Sequence, residues 1–530
     1  MNGRTNRCRA LRQVLAGCAL TLLAEAGAVA SPALSALQGL RGDNGQIHAC
    51  TGAQAGLAVW CVRAGAPPGG NGTAASPLAT ISAATSAAKA GDIVQVAAGI
   101  YAENVALGSY GNPVGKHLTL LGGFDSGFTG RDSDANATII NGGMVAPCVQ
   151  LHVNSSQTTT LDGFVLTNGR GLGTDWQTGG GAGGGVHVEQ QGAGTTVISH
   201  NRIHGNRTYN HASADTRGGG IHAATPSWGG FTGKVHIQDN WIHDNEAGKG
   251  AAINVVGRHA LIERNLVEGN TGHHDHGGGI YISTADTQVR DNVVRGNVIG
   301  ATAGYGWGGG IIVAAAGADL QGNTITDNYT PTAGSGVYWD EGATGTMRND
   351  ILSRNRCPQG ARSAAAIYVD GGPGGPSMVQ IENVTIADHH CPGTEPDGAA
   401  VVVEGGSAIT VRNAIFRGNS RDFATLSGGT VTVSYSITTQ AGTGNFSADP
   451  LFANAAAGDY HLRSAGGRYT PSGWVVDAVT SPAIDAGDPA SDYAQESQPN
   501  GGRVNLGAWG NTAQASRTPG GDLIFANGFQ

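Results

Sequence analysis

The chain has 530 residues, of which 89 are glycine and only 13% are charged. Glycine lies far above its usual level of roughly 7%, but no three-residue period accompanies it, so a collagen-like structure is excluded. The net charge of -9 argues against a nucleic-acid partner, which calls for a basic face. With four lysines in the whole chain (Lys89, Lys116, Lys234, Lys249), no large basic groove is expected. A polyuronate would therefore have to be met by local arginines or a bound cation.

In chain order, Arg4, Arg7, Arg9 and Arg12 precede an apolar run from Val14 to Ala24, too short to span a bilayer. Ala28-Val29-Ala30 then fits small-residue cleavage before Ser31, so residues 1–30 read as an export signal. A rival reading takes "LAGC", ending at Cys18, as a lipoprotein cleavage site. No later segment is long and apolar enough to span a membrane. The expected location is secreted, extracellular or on a bacterial cell surface, with outer-membrane association open, and the expected state is a monomer. Export makes disulfides plausible. Cys50 and Cys61 are close in sequence, Cys357 and Cys391 occupy equivalent places in successive repeats, and Cys148 is the odd one, expected to be buried as a small apolar residue.

The middle of the chain repeats. "SHNRIHGN", "QDNWIHDN", "ERNLVEGN", "RDNVVRGN" and "QGNTITDN" share an Asn-x-apolar-x-x-Asn pattern, whose first asparagines are Asn201, Asn240, Asn265, Asn292 and Asn323, continuing to Asn349, Asn383 and Asn413. Their separations are 39, 25, 27, 31, 26, 34 and 30 residues. Between these units recur small residues followed by apolar-x-apolar, as in "GGGVHVE", "GGGIHAA", "GAAINVV", "GGGIYIS", "GGGIIVA", "SGVYWD", "AAAIYVD" and "GAAVVVE". Such a period with short β-like units means a solenoid. Three strands and a variable loop per repeat predict an all-β, right-handed parallel β-helix. Coils about 4.8 Å apart would stack equivalent residues into ladders. Asparagine tolerates left-handed backbone and can bond amide to amide between coils, so the Asn residues are read as turn ladders.

On these motifs the chain resembles the pectin-lyase-like superfamily of secreted β-helices. "SPLATISAATSAAKAGDIVQVAAGIY" is similar to the family's entry, which implies a capping helix from about Pro77 to Lys89 and then the first strand. "DPLFANAAAGDYHLRSAGGRY" and "SPAIDAGDP" with "PNGGRVNLGAWGNTAQAS" resemble the C-terminal region of bacterial choice-of-anchor β-helix proteins. The resemblance covers roughly residues 76–516. It gives a division into an export signal (1–30), an entry segment with the capping helix (31–114), β-helix repeats (115–445), an anchor-type C-terminal region (446–516) and a tail (517–530) that ends in "DLIFANGFQ".

Enzymes of that superfamily work on one long face, built from the outward residues of one sheet and the loops beside it. Strand alternation gives an outward row of His187, His222, Asn254, Tyr281, Ile312, Tyr338, Tyr368 and Val402. Its tyrosines, histidines and asparagine suit sugar rings, although strands favour tyrosine in any case. The loops leading into these strands hold Tyr209, His211, Asp215 and Arg217, then Glu246 and Lys249, then "HHDH" from His273 to His276, then Tyr305 and Trp307. Tyr305 and Trp307 join the row as expected substrate contacts. Eliminative cleavage of a uronate polymer needs a base, for which His274 or His276 is placed, and a neutralising group. Lys249, Arg217 or a calcium ion held by Asp215, Glu246 or Asp275 would serve. Hydrolysis needs two carboxylates at a defined separation instead, and Asp215, Glu246 and Asp275 are the candidates. "WIHDN" at Trp241 does not match the pectate-lyase "WIDH", and the polygalacturonase motif set has no counterpart, so neither activity carries over residue by residue. The expected function is engagement of a polysaccharide or cell-surface glycan along one face, with cleavage open. A lyase, a hydrolase and a non-catalytic adhesin all remain in view, and of the two enzymes a polysaccharide lyase is expected ahead of a hydrolase.

Overall fold

The computed structural model describes residues 47–109, 112–172, 181–208, 216–225, 232–300, 306–356, 366–389 and 399–520. Asp215, Tyr209, His211, Tyr305, Cys357, Cys391, the export segment and the tail's last ten residues lie outside the described residues, and the side chain of Asp275 is not described. Three long parallel sheets, here A, B and C, contain 11, 13 and 11 strands. One coil shows their order: Ile221–Thr225 in sheet A, Lys234–Gln238 in sheet B and Trp241–His243 in sheet C. Each strand pairs in parallel with its equivalent on the next coil, as Ile221 with Ile253, Val235 with Ala260 and Ile242 with Val267.

The core lies inside this triangular cylinder because strand alternation sends one residue in two inward. Sheet C contributes Ile203, Ile242, Val267, Val294, Ile325, Leu352 and Ile386 as one fully buried row, a coil apart at each step. A single coil cannot bury such a row, so its apolar residues stabilise only when neighbours stack on them.

The asparagine reading holds in part and shifts in register. Asn201, Asn240, Asn265, Asn292 and Asn323 form a buried ladder, each donating from Nδ2 to Oδ1 of the next at 3.0–3.1 Å. A second ladder starts at Asn206 and runs through Asn245, Asn270, Asn297 and Asn328 to Asn355. The first ladder continues into Asp350, not Asn349. The left-handed residue at this corner is the one before the ladder position: His200, Asp239, Arg264 and Asp291 have φ of 51–56°. Asn349, Asn383 and Asn413 occupy that left-handed place instead (φ 52–57°). Their side chains reach out to hold the C-terminal region. Asn349 donates to the carbonyls of Ala508 and Gly510, Asn383 to that of Asn505, and Asn413 to Ser491 Oγ.

The helix spans Ile81–Ala87, shorter than expected at both ends. Thr80 caps its start, and the Glu103 carboxylate accepts from the Ile81 and Ser82 amides. Lys116 Nζ donates to the Thr85 and Ala88 carbonyls at the other end. An anion at the N-terminus and a cation at the C-terminus suit the helix dipole, and together they fix this cap over the first coils. Cys50 and Cys61 form a disulfide, and Cys148 is a free, buried thiol that burial pushes up to about 12.

One expectation fails. The stretch Thr271–His276 is not a loop but a strand. It belongs to a fourth parallel sheet, D, whose five strands are Arg170–Gly171, Arg207–Thr208, Glu246–Lys249, Thr271–His276 and Val298–Ile299. Gly272 pairs with Ala247 and His276 with Lys249, so His273, His274 and Asp275 oppose Gly248 alone. The "HHD" triplet is thus a bulge of two extra residues in a strand edge.

Candidate functional site

Sheet A has the predicted outward row in the predicted register. His187 pairs with His222, then Asn254, Tyr281, Ile312, Tyr338, Tyr368 and Val402. The expectation of an open face is wrong, however. Tyr281, Tyr338 and Tyr368 are 8%, 3% and 3% exposed, and His222 and Asn254 are fully buried. Outward from the cylinder is not outward to solvent here, because the chain leaving sheet D folds back over sheet A. Gly250 (φ +53°) makes that reversal, and a Cβ there would come 2.8 Å from Tyr281 Cβ. Only glycine takes this left-handed turn at such close approach without strain.

The row supports what lies above it. The rings of His152, His187 and His222 follow one another at 4.8 and 5.3 Å, and His222 Nδ1 bonds Asn254 Oδ1 at 2.9 Å. His152 Nδ1 meets Glu189 at 3.0 Å, also buried. Further along, Tyr338 stacks on Tyr368 at 5.4 Å within an apolar cluster containing Ile312 and Val402.

Over this support runs a second row. Arg217 bridges to Lys249, Lys249 pairs with His276, and His276 bridges to Trp307, then Ala333, one coil per step. All four of the functional side chains are half-buried. Lys249 Nζ lies 6.0 Å from the centre of the Tyr281 ring. The His276 ring is 6.1 Å from Tyr281 and 5.2 Å from Trp307, and Trp307 stacks on Tyr338 at 6.4 Å. The structure therefore brings together Arg217, Lys249, His276 and Trp307. His274 stands in the neighbouring bulge. Glu246, at the start of its strand, faces His273 Nε2 at 3.4 Å. Among the described residues no three His, Cys, Asp or Glu side chains converge as a metal site.

Sequence reasoning missed a line of carboxylates beside this row. Asp340 ends one sheet A strand, and Asp370 and Glu404 directly follow the next two, each two residues beyond Tyr338, Tyr368 and Val402. Burial, with Glu341 nearby, pushes the Asp340 carboxyl up to about 6 despite the opposing pull of His276. Burial and the bonded Glu404 carboxyl raise Asp370, and Tyr338 donates to Asp370 at 3.3 Å. The signal was present in the sequence as the acids closing "VYWD", "IYVD" and "VVVE".

The "WIHDN" stretch forms a sheet C strand whose groups pair with one another. Arg202 lies over the Trp241 ring at 4.4 Å, Trp241 Nε1 donates to Glu268 at 2.8 Å, and Arg295 closes on the same carboxylate at 2.7 Å.

Residues 309–449 match the family described as right handed beta helix region, and residues 427–487 match the one described as disaggregatase related. No curated protein matches the sequence. Similar solved structures include pectate lyase Pel9A, at 12% identity over 86% of this chain and 97% of that one (TM-score 0.38). XylC in complex with xylose is 11% identical over 74% and 87% (TM-score 0.43). The A-module of the mannuronan C-5 epimerase AlgE4 from Azotobacter vinelandii is 13% identical over 67% and 91% (TM-score 0.26). The parallel sheets, their coil order and the match over residues 309–449 make the chain a right-handed parallel β-helix.

Proposed function

We propose that this protein is exported and engages an acidic polysaccharide along the flank where sheet D meets sheet A. The observation that carries the reading is the row Arg217, Lys249, His276 and Trp307, in register on consecutive coils. A linear polymer laid along the coils meets one such side chain about every 4.8 Å. Two formal cations and an imidazole suit uronate carboxylates, and the indole suits a sugar face. The buried tyrosines and histidines act as the rigid floor. A calcium ion recruited by Glu246 and Asp275 is compatible with this reading and is tested by chelation.

Asp340 and Asp370 favour hydrolysis as the reaction, if the bound polymer is cut. Burial pushes the Asp340 carboxyl up to about 6, close to the range useful for a general acid, and raises Asp370 on the adjacent coil above its ordinary value. The test is affinity electrophoresis through polygalacturonate, alginate and xylan gels, with and without a calcium chelator, followed by assays for reducing ends and unsaturated products. Retardation by the uronates but not by xylan is expected, weakened about tenfold by Lys249→Ala, as loss of one charged contact implies. Retardation unchanged by Lys249→Ala and Arg217→Ala would sink the assignment. Unsaturated products in place of new reducing ends alone would reject the hydrolytic version.

A further inference from the structure

A cavity of about 300 Å³ lies away from this flank, at the seam where the C-terminal region meets sheets B and C. That volume is at the small end of the range for small-molecule sites. The β-helix wall includes Asp291, Gln321 and Thr324, and the C-terminal wall includes Trp509, Asn511 and Thr512. Gln321 ends the strand Gly317–Gln321 and Thr324 begins Thr324–Thr326, with the left-handed Gly322 between them.

The indole of Trp509 is held rigidly. The buried ring of His461 stacks on it at 4.2 Å with 7° between the planes. His461 is itself fixed at both nitrogens, Nδ1 by Asp459 at 2.7 Å and Nε2 by Gln514 at 3.2 Å. Trp509 remains half-buried, and the part of the indole not covered by His461 borders the cavity. The only charged side chains that line the cavity, among the described residues, are carboxylates and the bonded His461, with arginines behind them. Among the described residues no lysine or arginine lines the cavity, the Asp459 carboxylate is shared between His461 and Arg468, and Asp291 adds a further negative group.

We propose that this seam cavity binds a single neutral pyranose unit. A fixed aromatic surface facing the Gln321 amide and the Thr324 hydroxyl across a space of this size matches a sugar ring with its hydroxyl groups, while Asn511 and Thr512, bonded to Gln495, Asp492 and the Trp509 carbonyl, shape the opposite wall. The lining offers a uronate or sulfated sugar no free cation, because Arg468 is taken up by Asp459 and Asp477, so neutral sugars are favoured, the reverse of the preference proposed for the flank. The seam site does not depend on the flank reading.

The test uses the full chain with D-glucose, D-galactose, D-mannose, D-xylose and N-acetyl-D-glucosamine against D-galacturonate. Saturation-transfer NMR titrations supply the affinities. Saturable millimolar binding of at least one neutral sugar is expected, with galacturonate at least tenfold weaker as a competitor for that signal, so that its own binding at the flank does not enter. Thr324→Trp fills the cavity from a half-buried strand position and is expected to weaken binding at least tenfold with the unfolding midpoint unchanged. Gln321→Ala, at an exposed position, removes one hydrogen-bonding group and is expected to cost about threefold even if Thr324→Trp fails to fold. Lys249→Ala keeps the signal. No saturable neutral sugar, equal competition by galacturonate for its signal, wild-type affinity in Gln321→Ala, or loss of the signal in Lys249→Ala would each overturn the proposal.

Discussion

Asp350 shows how a single residue departs from the logic of its ladder. It sits where an asparagine is repeated on earlier coils and accepts from the Asn323 amide at 2.8 Å and from its side chain at 2.9 Å. Its other oxygen, Oδ2, has no partner among the described residues, and full burial pushes the carboxyl up to about 7 against the opposing Asn323 bonds. The native state therefore binds the proton more tightly than the unfolded chain, whose carboxyl titrates near 3.8. The sign follows by linkage: stability is full below about pH 4, falls as the pH rises towards 7, and stays reduced above it. Asp350→Asn removes that loss and restores an amide to the ladder. In urea titrations it is expected to stabilise the protein by about 1–3 kcal/mol at pH 8 and much less at pH 4.5. An equal effect at both pH values would show that the carboxyl is not desolvated in the fold.

At the scale of elements, the decisive feature is a fourth short sheet turning back over the first. Lys249 stands directly before Gly250, and the same order recurs as Arg217-Gly218, His276-Gly277 and Trp307-Gly308, each glycine with φ of 53–71°. The glycine turn is what places the preceding side chain over the sheet A row. Gly250→Ala forces a Cβ into both a left-handed backbone and the Tyr281 side chain. We expect it to cost about 1–3 kcal/mol in unfolding free energy and to weaken polyuronate binding as well. Gly375, at φ +105°, is the control, because a Cβ added there would meet nothing within 4 Å. Gly375→Ala carries backbone strain alone and leaves binding intact. If Gly250→Ala costs stability without affecting binding, the turn does not position the Lys249 row.

For the whole molecule, the solenoid was legible because each coil repeats the same three inward strands, and period and alternation survive in any one of them. The members of the outer row were legible as candidates one by one, but not their alignment: the sequence suggested His274 beside Lys249, and the bulge in Thr271–His276 puts His276 there instead. What the sequence withheld depends on contacts between distant segments. Nothing local in "GGGIYIS" says that Tyr281 lies under Lys249 and His276, or that a sugar could not reach it. The motif "RND" leaves open whether Asn349 or Asp350 takes the ladder, and the answer rests on Asn349 being needed at Ala508 and Gly510, about 160 residues away. The acids Asp340 and Asp370 read as ordinary strand ends until burial raises them. The most direct measurement of the central claim is hydroxyl-radical footprinting of the full chain with and without saturating polygalacturonate. Protection of His276 and Trp307, with Trp241 on sheet C as reactive as before, is the predicted result. Protection of Trp241 with Trp307 unchanged, or no protection anywhere, would contradict it.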